Sequence, residues 1–259
     1  MVTKKMLKLA KSLHQKKYRH QEQLFLVEGN KSIVELLASS FTVKTLIGTS
    51  LFIEQHKSLI EERLSDLNVF QTNETTVSSI SSFKNNNAGV ALVEIPKRKS
   101  PPEEIDGYAL VLDDIRDPGN LGTIIRVADW YGIRCIISSL NTTDEYNPKV
   151  ISASMGSFLR VPLYRADLSS YLSQTSLPVY GTLLDKGDSV YQADFAPRGF
   201  IVLGNESEGM RPDTIQYIKQ AIHIPEFGEA ESLNVGVAAA VVCDNMRRKL
   251  EEKNATHEE

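Results

Sequence analysis

Five short, continuous apolar runs lie in the C-terminal part of the chain, at residues 109–112, 135–137, 179–183, 200–203 and 221–224. Strands that are apolar on both faces belong to parallel sheets covered by helices on either side. Segments of helical character follow near 122–131, 148–158, 212–218 and 235–250. The alternation predicts an α/β domain built on a parallel sheet. The stretch 235–242 is apolar all round, which buries that helix in the core or in a subunit interface. The tail 251–259 is expected to fray.

A second alternation fills the first 96 residues: a helix over about 3–14, a strand at 24–27, a helix at 30–38, a strand at 43–47, a helix at 51–64, a short strand near Val69 and a strand at 89–95. It predicts a small α/β domain over 1–96. Nothing in it has catalytic spacing, so it reads as a binding or accessory domain. Between the two halves, residues 97–107 contain the pair Pro101-Pro102 among charged residues that bury nothing. Paired prolines favour extended backbone, and the segment is predicted to be a linker leading into a second domain over 108–259.

Charge is unevenly distributed. Residues 1–31 hold eight basic side chains against Glu22 and Glu28, in a chain whose net charge is −4. A basic end on an acidic protein is a footprint of phosphate-backbone contact. A solvated amphipathic helix, with Met6, Leu9 and Leu13 on one face, accounts for the same lysines. No apolar run is long enough to span a bilayer, and no secretory signal core is evident, so a cytoplasmic protein without membrane contact is expected. Cys135 and Cys243 fall in a strand-like and a helix-like run and are expected to be buried and reduced. No Cys/His spacing suggests a metal.

Three loops carry the chemistry. The first, Asp113-Asp114-Ile115-Arg116-Asp117-Pro118-Gly119-Asn120-Leu121-Gly122, follows an apolar run and opens a helix bearing Arg126. The others are Leu203-Gly204-Asn205-Glu206-Ser207-Glu208-Gly209 and Ile224-Pro225-Glu226-Phe227-Gly228, the latter leading into Ser232-Leu233-Asn234-Val235. A dinucleotide fold needs G-x-G-x-x-G, and no G-x-G occurs in the chain. Gly204 and Gly209 have P-loop spacing, but Met210-Arg211 stands where Lys-Ser/Thr must meet phosphate and magnesium. Ser207 is not in a G-x-S-x-G elbow.

These motifs resemble the SpoU/TrmH-type methyltransferases of the SPOUT superfamily. The likeness extends to Asn147-Pro148-Lys149-Val150, to Ala153-Ser154-Met155-Gly156-Ser157, and to Phe25-Leu26-Val27-Glu28-Gly29, which resembles the substrate-binding domain preceding many of these enzymes. The resemblance implies a trefoil knot in the C-terminal domain, S-adenosylmethionine as methyl donor, RNA as acceptor, ribose 2′-oxygen methylation, and a homodimer with a composite active site. It implies donor-binding positions at Gly204, Ile224 and Leu233, with Thr182 and Leu183 nearby. It implies an acceptor site formed by Asn120, Arg126, Glu206, Ser232 and Asn234.

A guanidinium is a poor base because it donates hydrogen bonds and stays protonated. Arg126 is therefore expected to grip an RNA phosphate bidentately and steady the developing alkoxide. Asn120 either orients the acceptor nucleotide or caps the helix, and Ser232 either positions substrate or caps the last helix. Glu226 and Gly236 depart from the family's usual Met and Ser. Ribosomal RNA is expected ahead of transfer RNA. A decayed, RNA-binding assembly protein and a base-nitrogen methyltransferase are the alternatives.

Overall fold

A computed structural model describes residues 2–184 and 187–257. The chain forms two compact units, one of Met1–Lys97 with Asp144–Leu159, the other of Arg98–Thr143 with Arg160–Glu259. The elements in chain order are α1 (Lys4–Ser12), α2 (Lys16–Glu22), β1 (Leu24–Glu28), α3 (Asn30–Leu37), β2 (Val43–Thr49), α4 (Ser50–Gln55), α5 (Lys57–Glu61), β3 (Asn68–Thr72), α6 (Glu74–Ile80) and β4 (Gly89–Glu94). There follow β5 (Tyr108–Leu112), α7 (Pro118–Trp130), β6 (Ile136–Ser138), α8 (Pro148–Ser154), β7 (Leu163–Arg165), α9 (Leu168–Ser173), β8 (Val179–Thr182), β9 (Asp188–Ser189), β10 (Gly199–Leu203), α10 (Pro212–Ile215), β11 (Gln220–His223) and α11 (Val235–His257).

The N-terminal unit holds a four-stranded mixed sheet in the order β1-β4-β2-β3, of which only β2 and β3 pair in parallel. Side-chain oxygens start α1, α4 and α6: Thr3, Thr49 and Asn73 each accept from a backbone N–H one turn on, as N-caps do. The helix expected over 51–64 is interrupted at His56 and becomes α4 and α5. Helices α2 and α6 escape a hydrophobic-period reading, since α2 buries only Arg19 and α6 only Val77 and Ile80. The segment Asp144–Leu159, which sequence reading places in the C-terminal domain, belongs to this unit. Its Ile151 is buried in the core around Phe25, and its Tyr146 and Phe158 rings lie 4.6 Å and 6.1 Å from the Phe25 ring.

The C-terminal unit holds a seven-stranded sheet, β7-β6-β5-β10-β8-β11-β9, in which every pairing is parallel. Its two central strands, β5 and β10, are buried along their whole length. Strands β7 and β9 lie at the edges, short and incompletely buried, so they leave no apolar run to read. Helix α7 starts at Pro118, four residues before its expected start, because Asp117 accepts from Asn120 N and Pro118 fills the first position, where a missing N–H costs nothing.

Two expectations need correction. Helix α11 runs through His257, so the tail does not fray within the described residues. Lys253 donates to Phe195 O at 2.8 Å and pairs with Asp194, which ties down that last part of the helix. In α11, Val235, Ala239, Val242, Cys243 and Met246 are buried, while Val237 is 49% exposed, so the core of one chain does not by itself cover the helix. The segment 97–107 does bury a side chain, since Ile105 is 6% exposed, and Tyr171 Oη donates to Pro102 O at 2.8 Å. Both cysteines are free and buried, and burial pushes the Cys135 thiol up to about 11 and Cys243 up to about 12.

Candidate active site

Parallel strands deliver the loops that follow them to a single edge of the sheet. Strands β5, β10, β8 and β11 are consecutive neighbours, so the loops after them emerge side by side. Nine of the ten site residues expected from sequence lie in those loops, at the strand end before one of them, or in the helix turn just beyond. Arg126 sits further along α7.

Asn120 is the hub. Its Nδ2 donates to Glu206 Oε1, and its Oδ1 accepts from Asn234 Nδ2 at 2.8 Å. One amide thus joins the first turn of α7, the loop after β10 and the start of α11. Asn234 uses its own Oδ1 to accept from Gly236 N at 3.0 Å and Val237 N at 3.3 Å, which caps α11. The capping roles considered for Asn120 and Ser232 therefore fall to Asp117 and Asn234. Glu206 engages Asn120 and makes no bond to Arg126.

Two glycines have a packing reason. A Cβ on Gly204 would lie 2.5 Å from Gly209 C and from Met210 N, so the loop after β10 folds back on its own backbone there. A Cβ on Gly236 would lie 2.8 Å from Thr123 Cγ2, and its absence lets α11 close onto α7.

Beneath the hub is a buried layer to which sequence reading assigned no role. Asp113, wholly buried, accepts from Arg211 N at 2.8 Å and Arg211 Nε at 2.7 Å. Asn205 Nδ2 donates to Asp114 O at 2.9 Å, while its Oδ1 accepts from Ser207 N and Glu208 N. Asp114 adopts a left-handed backbone (φ 63°) and pairs with Arg116 at 2.5 Å; Arg116 also reaches Glu208 at 3.2 Å. The hydrogen bond to Asp114 raises the Arg116 pKa further above its ordinary value. A carboxylate straight after a fully buried strand needs a cation or several N–H donors. That requirement was the available sign of Arg211.

The remaining expected residues divide in two. Thr182, Leu183, Gly204 and Ile224 are partly buried at the ends of β8, β10 and β11. There Thr182 Oγ1 donates to Val202 O at 3.0 Å and Leu183 N to Ile222 O at 2.9 Å. Arg126, Ser232 and Leu233 are exposed, and no side chain among the described residues pairs with Arg126.

A family model described as the SpoU rRNA Methylase family matches residues 107–244. The chain belongs to that family. A second model, the MRM3-like substrate binding domain, matches residues 4–91. Among SpoU relatives, the 23S rRNA (guanosine(2553)-2′-O)-methyltransferase RlmP of Bacillus subtilis is 28% identical over 92% of this chain and 94% of its own length. A TrmH-family protein from Porphyromonas gingivalis is 33% identical, with a TM-score of 0.84 over 96% of this chain and 99% of that one. An S-adenosylmethionine-bound rRNA methyltransferase from Sinorhizobium meliloti is 29% identical, with a TM-score of 0.86 over 96% and 97%. The α/β architecture expected from sequence is thus the architecture of SpoU enzymes. No helix of the described residues is long and apolar enough to cross a membrane.

Proposed function

We propose that this protein transfers a methyl group from S-adenosylmethionine to a ribose 2′-oxygen of ribosomal RNA. The observation that carries this reading is the single amide of Asn120 joining all three motif loops. When bound, S-adenosylmethionine supplies a methyl carbon on a sulfonium, already an activated leaving group. Thr182, Leu183, Gly204 and Ile224 fit such a ligand: an adenosine needs a shallow apolar slot edged by backbone donors and acceptors, which adjacent strand ends provide. Leu233 completes this set.

On the acceptor side, Arg126 grips the phosphate next to the target ribose and stabilises negative charge growing on the 2′-oxygen. With the donor held there, its methyl carbon would bond to the 2′-oxygen as the sulfur took back its bonding electrons, and the hydroxyl proton would pass to a phosphate oxygen or water. Asn120, held by Glu206 and Asn234, positions the nucleotide, with Ser232 beside it.

Arg126 lies six residues beyond Asn120, about 9 Å along α7. The hub therefore needs an arginine from elsewhere, and we assign it to a second copy of the chain, in a homodimer with composite sites. Exposed Val237 supports burial of this part of α11 in that dimer. The knotted C-terminal chain path and a cytoplasmic location belong to the same reading.

Calorimetric titration with S-adenosylmethionine, followed by mapping of the methylated nucleotide in ribosomal RNA, tests the proposal. A ribose methyl in ribosomal RNA is expected. Absence of donor binding would make the chain a decayed assembly protein, a methyl on a base nitrogen would move it to another branch, and a ribose methyl found only in transfer RNA would change the acceptor.

A further inference from the structure

The lysines of α1 and α2 differ from three others of the same unit. Lys31, Lys44 and Lys57 each lie against a carboxylate, at 3.9 Å from Glu35, 2.8 Å from Glu94 and 3.7 Å from Glu61. Lys4, Lys5, Lys8, Lys11, Lys16 and Lys17 are all exposed, and none pairs with a carboxylate among the described residues. Helix α1 contains no acidic residue, and the one in α2, Glu22, accepts from Gln21.

Geometry gathers these charges. Lys4, Lys8 and Lys11 follow i, i+4, i+7 spacing, so they share one face of α1. The opposite side is anchored: Ala10 and Leu13 are buried in a cluster with Leu26, Ile47, Val77, Ile80, Val90 and Leu92. The turn into α2 is locked by Arg19, 2% exposed, whose Nη1 donates to Leu13 O at 2.9 Å and His14 O at 3.0 Å. Its Nε and Nη2 both bond Asp144 Oδ2, at 3.0 Å and 2.6 Å. The one arginine here thus serves the fold, while six lysines face solvent from a rigid platform. Like charges left unpaired cost stability through mutual repulsion, and they are held close together where a polyanion will neutralise them.

We infer that the α1–α2 face binds the sugar-phosphate backbone of the RNA, through Lys4, Lys8, Lys11, Lys16 and Lys17. Contacts of this kind set affinity and position without reading sequence. The inference rests on the proposed function only in taking RNA as the polyanion.

The test uses the full chain and its Lys4→Gln/Lys8→Gln/Lys11→Gln variant, titrated with transcribed 23S ribosomal RNA over a range of KCl. Glutamine keeps helix propensity, and matched thermal melts confirm the fold. Losing three phosphate contacts is expected to weaken binding about tenfold or more at low salt and to flatten the log–log salt slope by about 2 to 3. A triple variant at the carboxylate-paired Lys31, Lys44 and Lys57 is expected to keep most of the slope.

Unchanged affinity and slope in the first variant would overturn the inference, as would equal losses in both variants. So would lysine-dependent binding to phosphatidylserine vesicles in the absence of RNA binding. Calorimetry with S-adenosylmethionine on the same samples separates the two proposals. Lysine-dependent RNA binding without donor binding leaves this face standing and removes the methyltransferase reading. Ribose methylation with lysine-independent RNA binding does the reverse.

Discussion

The two sheets of this protein put similar strands to different use. In the C-terminal unit all seven strands run parallel, so the loops after β5, β10, β8 and β11 meet at one edge, where side chains tie them together. In the N-terminal unit β4 runs against both β1 and β2, which sends successive loops to opposite edges. A parallel sheet concentrates function at its carboxyl edge, whereas a mixed sheet of this size makes a platform whose outer helices carry the charge. One polar arrangement in each unit illustrates this. Arg19–Asp144 is buried and holds the platform together, while the Asn120 hub is partly exposed and open to ligands.

Substitutions sharpen or break that contrast. Arg19→Ala strips a buried carboxylate of its partner and leaves two helix-end carbonyls unbonded, so it should lower stability by about 3–5 kcal/mol in urea unfolding. A loss below about 1 kcal/mol would mean that the platform does not depend on the pair. Arg126→Ala should cut methyl transfer about a hundredfold, on the scale of removing one donor to a developing oxyanion, with melting temperature and donor affinity retained. Arg126→Lys should recover little, because a point charge cannot replace a bidentate fork; near-full transfer by that variant would remove the phosphate-grip model.

Gly204→Ala forces the loop after β10 off its own backbone and should cost about 1–3 kcal/mol, together with weaker binding of S-adenosylmethionine. Wild-type affinity in a correctly folded Gly204→Ala protein would place the donor elsewhere. A smaller loss of stability than that of Gly204→Ala is expected from Asn234→Ala, about 1 kcal/mol for the lost cap of α11, read from thermal melts. If Asn234 only caps, transfer should fall no further than stability does; a larger loss marks the hub as catalytic in purpose.

Much of this was legible in the sequence, for a physical reason. Strands β5, β6, β8 and β10 are short and apolar because both faces are covered, and such runs announce themselves. Edge strands β7 and β9 have no such constraint and stayed hidden, as did α2, whose one buried side chain is an arginine. Motif spacing pointed to Asn120, Glu206 and Asn234, but not to the bonds among them, since those depend on which strand neighbours which. Asp113 and Arg211 are 98 positions apart, and only the adjacency of β5 and β10 makes them partners. The return of Asp144–Leu159 to the N-terminal unit was equally invisible, because α8 looks like any helix following a strand of the parallel sheet.

That return sets an order of events on the ribosome. Residues 4–91 match a substrate-binding domain as a continuous stretch, yet the core around Phe25 also needs Tyr146, Ile151 and Phe158, and Arg19 needs Asp144. A nascent chain that has emerged only to Lys97 lacks all four. The N-terminal unit therefore finishes folding after β5, α7 and β6 have been synthesised, and first-made is not first-finished. A fragment ending at residue 97 would carry an open apolar face and an unpaired buried arginine, so any excised version of this unit must bring the later segment with it.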